Sequence, residues 1–291
     1  MSGLNTSSNN STLVVAKTVK LFIGGEFPRT ESGRSFPIFV HKTKKIYGHM
    51  CLASRKDVRN AVTAAQTAQP GWQSKSAYNR GQILYRMAEM MESKRAEFVE
   101  ALTETTGLNA KAANKSVDDA VQSFVYYAGF SDKYQQVMGA VNPVSGPHHN
   151  FTMTEAVGVV GLLGAEKFDL ANFTAQIAAI IVSGNSVVAL MSQAGSALLA
   201  PLAETFATSD LSKGVVNILT GDLNELYSHF GTHMEIQSLS LQIKDAKKVA
   251  EIKTAGAMNM KRIVGTTSHY QSLEHLISFL EYKTVWHPIG H

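Results

Sequence analysis

The 291-residue sequence has a single cysteine, Cys51. An internal disulfide and a zinc site built from several cysteines are therefore both excluded. A reducing, cytoplasmic setting is the corresponding expectation. Charge of either sign is thinly spread: 27 basic residues oppose 23 acidic ones, for a net +4. No run of five or six like charges exists, so a nucleic-acid groove is not indicated. No apolar stretch approaches the ~20 residues that cross a bilayer, so no membrane role is expected. Residues 1–19, opening MSGLNTSSNNST, are polar and low in complexity and are expected to form a disordered tail. The apolar run Leu13 to Ala16 is too short for a signal peptide, and only Lys17 and Lys20 supply charge. The sequence has no G-x-S-x-G elbow, no P-loop and no H-E-x-x-H.

What is present is apolar material in two patterns. Hydrophobic residues make up 44% and charged residues 17%, enough for one large α/β domain or two modest ones. KLFIGGEFPRT suggests two short strands around Gly24-Gly25. Ser54 caps a helix with Val58, Ala61, Val62 and Ala65 inward, which Pro70-Gly71 should stop. A long helix is expected over 79–105, with Ile83, Leu84, Met87, Met90, Met91, Phe98, Val99 and Leu102 as its stripe and Gly107 as its end. Another is expected over 114–138, with Val117, Val121, Phe124, Val125 and Ala128 inward. These methionine and aromatic stripes read as core. Tyr126 and Tyr127 read as closing that core. NPVSGPHHN reads as a loop with His148 and His149 solvated.

From FTMTEAVGVVGLL onward, strand and helix alternate. NSVVALM, GVVNILTG, IQSLSLQI and KRIV are further strands. NFTAQIAAIIVSG, SALLAPLAETFAT, DLNELYSHF and DAKKVAEIKTAGA are the helices between them, Pro201 kinking or shortening the second. Continuous apolar strands separated by helices predict a Rossmann-like α/β fold: a parallel five-stranded sheet with helices on both faces, preceded by an N-terminal helical segment. Such sheets bind ligands beyond the carboxyl ends of their strands. That rim carries the Gly164 to Lys167 turn, the loop after Met191, the Thr220-Gly221 turn and the segment around Lys244.

VGVVGLLGAEKF, SGNSVVALMS and GVVNILTG, in this order and spacing, resemble the nucleotide-binding half of the aldehyde dehydrogenase superfamily. Trp72, the YNRGQILYRMAEMME helix with Arg80, and ETTG at 104–107 resemble that family's N-terminal segment. The resemblance runs from about Lys20 to Val264. It implies a domain over 20–265 with an oligomerisation segment near 139–155, and NAD or NADP as cofactor. Lys167, Phe168, Ser192, Gly221 and Lys244 become the cofactor-contacting candidates. The family's nucleophilic cysteine lies in a separate catalytic domain that would begin about where this chain ends, and Cys51 matches no family motif.

At the rim the chain departs from the family. Lys167 stands in place of the oxyanion-holding asparagine, and Leu190 in place of the ribose-binding lysine. Ile243-Lys244 replace the glycine-serine turn at the pyrophosphate, with Asp245 at the helix start, and the general-base glutamate falls near Thr266. These changes argue against dehydrogenase chemistry and ordinary NAD(P) binding, so no catalytic residue is assigned. The pairs His229/His233 and His287/His291 lack a third ligand, so no metal site is assigned either. Residues 266–291 read as a C-terminal helix and tail, the helix being amphipathic SLEHLISFLEYK with Leu273, Leu276, Ile277 and Leu280 on one face. The expectation is a truncated, non-catalytic structural or regulatory subunit, self-associating or joined to a full-length aldehyde dehydrogenase. The alternatives are an oxidoreductase holding NAD(P) through Lys167 or Lys244, and a sensor of another phosphorylated small molecule.

Overall fold

The computed structural model describes residues 17–164, 167–267 and 269–290. Most of the N-terminal tail, Ala165-Glu166, Ser268 and His291 lie outside the described residues.

A small sheet opens the chain: β1 (Thr18–Val19), β2 (Ser35–Phe39) and β3 (Ile46–Cys51), in the order β1-β3-β2. Sequence patterning did not reveal its β2-β3 hairpin. Pro37 sits inside β2, and a proline is tolerated there because β2 is a sheet edge. KLFIGGEFPRT forms no extended strand. Ile23 bridges Glu26 around the glycine pair, and Phe22 bridges Ile218.

Ser54 starts α1 (Arg55–Gln73), its backbone N–H donating to Asp57 at 2.7 Å. Pro70-Gly71 does not stop this helix. Trp72 is fully buried in the last turn and donates its indole N–H to Ile181 O at 2.7 Å, so tertiary packing holds the turn against the proline. The long helix expected over 79–105 is two, α2 (Ala77–Ser93) and α3 (Arg95–Thr106). The Ser93 hydroxyl donates to Met90 O at 2.8 Å, a local bond that competes with the helical ladder at the break. Gly107, at φ 77°, ends α3 as expected. The next expected helix also splits, into α4 (Ala110–Phe130) and α5 (Tyr134–Met138).

NPVSGPHHN is a hairpin rather than a loop: β4 (Ala140–Asn142) turns into β5 (His148–Ala156). His148 and His149 are therefore strand residues, with His148 against Trp286 at a 5.8 Å ring distance.

The main sheet follows: β6 (Val159–Leu163), α6 (Leu170–Val182), β7 (Ser186–Met191), a short 3-10 turn (Gln193–Leu198), α7 (Leu199–Ala207), β8 (Val216–Thr220), α8 (Leu223–Thr232), β9 (Ser238–Leu241), α9 (Ala246–Ala257) and β10 (Arg262–Val264). Its order is β10-β9-β6-β7-β8, all parallel. Pro201 shortens its helix rather than kinking it. It is the third residue of α7, where a missing N–H costs no intrahelical bond. Strand side chains alternate between two cores. Val160, Leu162, Ala189 and Ile218 face the layer containing α2, α4 and α6, while Val159, Leu163, Leu190 and Leu219 face α1 and α8. Tyr127 is buried, and its hydroxyl donates to the Tyr270 carbonyl.

The C-terminal segment differs most from expectation. Only Leu273–Ile277 is helical (α10), and Leu280–Pro288 is a nine-residue strand, β11, antiparallel to β5 along its whole length. Leu280 is buried as its first residue. The β-branched and aromatic run Thr284-Val285-Trp286 suits a strand, and β5 offers an edge for it to pair with. The third sheet thus has the order β11-β5-β4.

Candidate functional site

The carboxyl ends of β6, β7 and β8 surround a pocket of about 360 Å3. Gly164 forms one side. Its N–H donates to Leu190 O at 3.0 Å, and a Cβ there would fall 2.9 Å from the same carbonyl, so the turn after β6 rests directly on β7. Leu190, Met191 and Ser192 supply the floor; Gly221, Asp222 and Leu223 supply the far wall.

Of the five candidates, Ser192 and Gly221 line this pocket and the other three do not. The Ser192 carbonyl accepts from Gly195 N at 3.0 Å and starts the 3-10 turn, while its hydroxyl is shielded and unpartnered among the described residues. Gly221 is buried against Leu226 and Ala53. Phe168 packs on Phe173 with ring centroids 5.4 Å apart and lies across Gly195, where a Cβ would come within 2.2 Å of its ring. It clamps the loop before α6 to the turn after β7, a packing role. Lys167 and Lys244 are exposed.

The residues that replace the family's functional groups have structural tasks of their own. Leu190, where a ribose-binding lysine was sought, is 2% exposed and points into the α1/α8 core. The Thr266 hydroxyl donates to Leu241 O at 3.2 Å, clipping the segment after β10 to the end of β9. The order of the sheet reverses between β6 and β9, the position where a parallel sheet opens a ligand crevice. Here Gln242 and Ile243 are 5% and 7% exposed and close it, with Gln242 N donating to Leu163 O at 3.0 Å. At the start of α9 the Asp245 carboxylate accepts from the backbone N–H of Lys247 and Lys248 at 3.0 and 3.3 Å. The Lys248 ammonium bond and these backbone donors hold its pKa below the usual carboxylate range. A pyrophosphate needs those same amides. Among the described residues, the Lys247 and Lys248 amides that an anion at this helix start would meet are thus already taken by Asp245.

Two further aspartates were not singled out from sequence. Asp169 caps α6, accepting from Asn172 N at 3.1 Å, and Asp222 caps α8, accepting from Asn224 N at 2.8 Å. The signal was available as an aspartate opening each helix after a rim strand, in DLAN, DLNE and DAKK. Cys51, remote from the rim in sequence, is near it in space: its carbonyl accepts from the Thr220 hydroxyl at 2.6 Å. Its thiol belongs to a residue only 2% exposed, packed in the α1/α8 core. His229 lies in the last turn of α8 and His233 follows as its C-cap. Among the described residues no group of three or more metal-ligating side chains comes together.

The comparisons agree with this architecture. Residues 27–266 match the model of the aldehyde dehydrogenase family. The chain is 29% identical to cytosolic 10-formyltetrahydrofolate dehydrogenase of Mus musculus over 259 residues, which is 86% of this chain and 28% of that protein. It is 30% identical to the mitochondrial benzaldehyde dehydrogenase of Antirrhinum majus over 226 residues, 76% of this chain and 41% of that one. Among solved structures, an NAD+ complex of aldehyde dehydrogenase from Bacillus cereus superposes with a TM-score of 0.79 at 25% identity, covering 86% of this chain and 50% of that chain. The chain thus spans half or less of the length of these relatives. By the matched residues and by the fold they build, the chain belongs to the aldehyde dehydrogenase family.

Proposed function

We propose that this chain is a non-catalytic, cytoplasmic assembly subunit of the aldehyde dehydrogenase family. It associates with a second copy of itself or with a full-length active relative. The observation that carries the proposal is the β11-β5-β4 sheet. On one of its faces Val141, Phe151 and Val285 stand side by side across the three strands, with Val141 72% and Val285 36% exposed. Met153 extends this row, and Tyr282 and Trp286 stand exposed on the opposite face. The outer edge of β11 has no neighbouring strand among the described residues. A small sheet with apolar side chains open to water and a long free edge is stabilised by a partner surface. Cross-strand bonds, including Thr152 to Thr284 at 2.9 Å and the Lys283–Glu155 ion pair, fix its shape beforehand.

The chemistry supports the same reading. The cysteine of this sequence is buried, and Lys167 and Lys244, the residues that would have carried altered NAD(P) contacts, stand outside the pocket. We expect the purified chain to form no NADH or NADPH from benzaldehyde or propanal with either cofactor. Turnover abolished by Cys51→Ser, in a variant that keeps its melting temperature, would overturn the non-catalytic reading.

A further inference from the structure

We infer that β11 pairs edge to edge with β11 of a second copy of this chain, antiparallel, about a two-fold axis through Thr284. This rests on the assembly reading and deepens it, naming the partner, the strand and the register.

The register of the existing ladder shows which backbone groups of β11 are open. Leu280 lies opposite Ala156 and Pro288 opposite His148, and Ile289 continues the series, its N–H donating to Pro147 O at 2.9 Å. In an antiparallel ladder, residues that bond to the neighbouring strand alternate with residues that face away from it. The odd-numbered residues of β11 therefore bond to β5, and the N–H and C=O groups of Tyr282, Thr284 and Trp286 point out of the sheet. The 2.9 Å contact between the Thr152 and Thr284 hydroxyls fits this phase, because side chains approach closest in the pairs without backbone bonds. Residues 281–288 are exposed, and among the described residues no strand covers this edge.

The ends of the strand select the register. Leu280 and Pro288 also face outward, but the Leu280 carbonyl already accepts from the Arg262 guanidinium and Pro288 has no N–H to give. With the axis at Thr284 these two residues stand opposite each other, so the occupied acceptor meets the missing donor. Tyr282 then faces the partner's Trp286, and Thr284 faces its own counterpart, each pair exchanging two backbone bonds. Aromatic and threonine pairs of this kind are favourable across strands. On the other face Glu281 stands opposite the partner's His287. Lys283 stands opposite the partner's Val285. A lysine on an edge strand ordinarily repels a second chain, but the Lys283 ammonium is already paired with Glu155 of its own sheet. An axis one residue earlier would set Lys283 against Lys283. One residue later would set Lys283 against His287 and leave the Tyr282 carbonyl opposite the proline, without a donor.

Analytical ultracentrifugation of the full chain, with hydrogen exchange of the 280–288 segment read at low and high concentration, tests this. The parent should dimerise reversibly, and exchange in that segment should slow as the dimer forms. Thr284→Pro removes an outward N–H at the axis and leaves the ladder to β5 intact, so it should weaken the dimer by about tenfold or more at a nearly unchanged melting temperature. Two charge variants test the register without a proline. Tyr282→Lys with Trp286→Lys sets like charges opposite each other and should abolish the dimer, whereas Tyr282→Lys with Trp286→Glu sets opposite charges together and should keep it. A dimer that is indifferent to Thr284→Pro, or that both charge variants affect alike, overturns the inference and leaves the assembly reading standing on the face of the sheet. A parent that stays monomeric alone but joins an active relative also overturns the inference while sparing that reading. A parent that does neither overturns both.

Discussion

His275 sits on α10 with 4% of its surface exposed, edge-on to Phe279 at 5.2 Å, and its Nε2 has no hydrogen-bond partner among the described residues. Burial alone pushes its pKa from 6.5 down to about 4. The neutral ring is accommodated and the charged ring is not, so the unfolded chain takes up this proton at a higher pH than the folded one. Its contribution to stability is fully present above about pH 6.5 and is lost as the pH falls towards 4, to a limit of about 3 kcal/mol. His275→Leu fills the site without a titrating group. The loss of thermal stability between pH 7 and pH 5 should therefore be smaller in the variant than in the parent, as differential scanning calorimetry would show. An identical pH slope would mean that His275 is solvated. Nothing in the sequence around SLEHLISF marks this histidine as buried. Its environment comes from distant segments, and α10 is too short for periodicity to indicate an inward face.

Among the elements, α2 is held in place by one side chain. Arg80, 4% exposed, donates to Val182 O at the end of α6 (3.0 Å), to Gln73 O and Lys75 O at and just beyond the end of α1 (3.2 and 2.6 Å), and to the Tyr134 hydroxyl on α5 (3.1 Å). The cation lies where the carboxyl ends of α1 and α6 place partial negative charge. Arg80→Ala should cost about 3–5 kcal/mol, because three helix-end carbonyls lose their donors together. Arg80→Lys should recover little of it, since an ammonium cannot reproduce the planar fork. Chemical denaturation of both variants checks this, and a lysine variant as stable as the parent would refute it. The five strands of the main sheet were legible because short apolar-rich segments alternate regularly with longer helical patterns. β11 was not, because it is exposed along most of its length and carries no buried face for periodicity to register. The helix breaks at Lys94 and Ser131 were hidden for another reason. Local side-chain bonds make them, Ser93 to Met90 O and Ser131 to Ala128 O, and such bonds have no distinctive sequence signature.

For the whole molecule, the family fold has been kept, and Asp169, Asp222 and Asp245 cap the helices that follow the rim strands. The position of the rim was readable from strand order, and Ser192 and Gly221 line the pocket there. The aspartates around it were harder to weigh, since a helix cap and an anion barrier have the same sequence signature. Whether Lys167 and Lys244 faced the ligand or the solvent could be decided only by the three-dimensional arrangement. At this scale the central claim is that the chain works through association by the β11-β5-β4 sheet. Val285→Asp places a charge at the β11 end of the Val141-Phe151-Val285 row, at a site open enough to cost less than about 1 kcal/mol of stability. The most direct measurement is sedimentation velocity of the parent and of Val285→Asp across a wide range of concentration, each alone and mixed with a full-length active aldehyde dehydrogenase. The account predicts a concentration-dependent complex for the parent and its loss in the variant, at an unchanged melting temperature. A parent chain that stays monomeric at every concentration and ignores the active enzyme would contradict it.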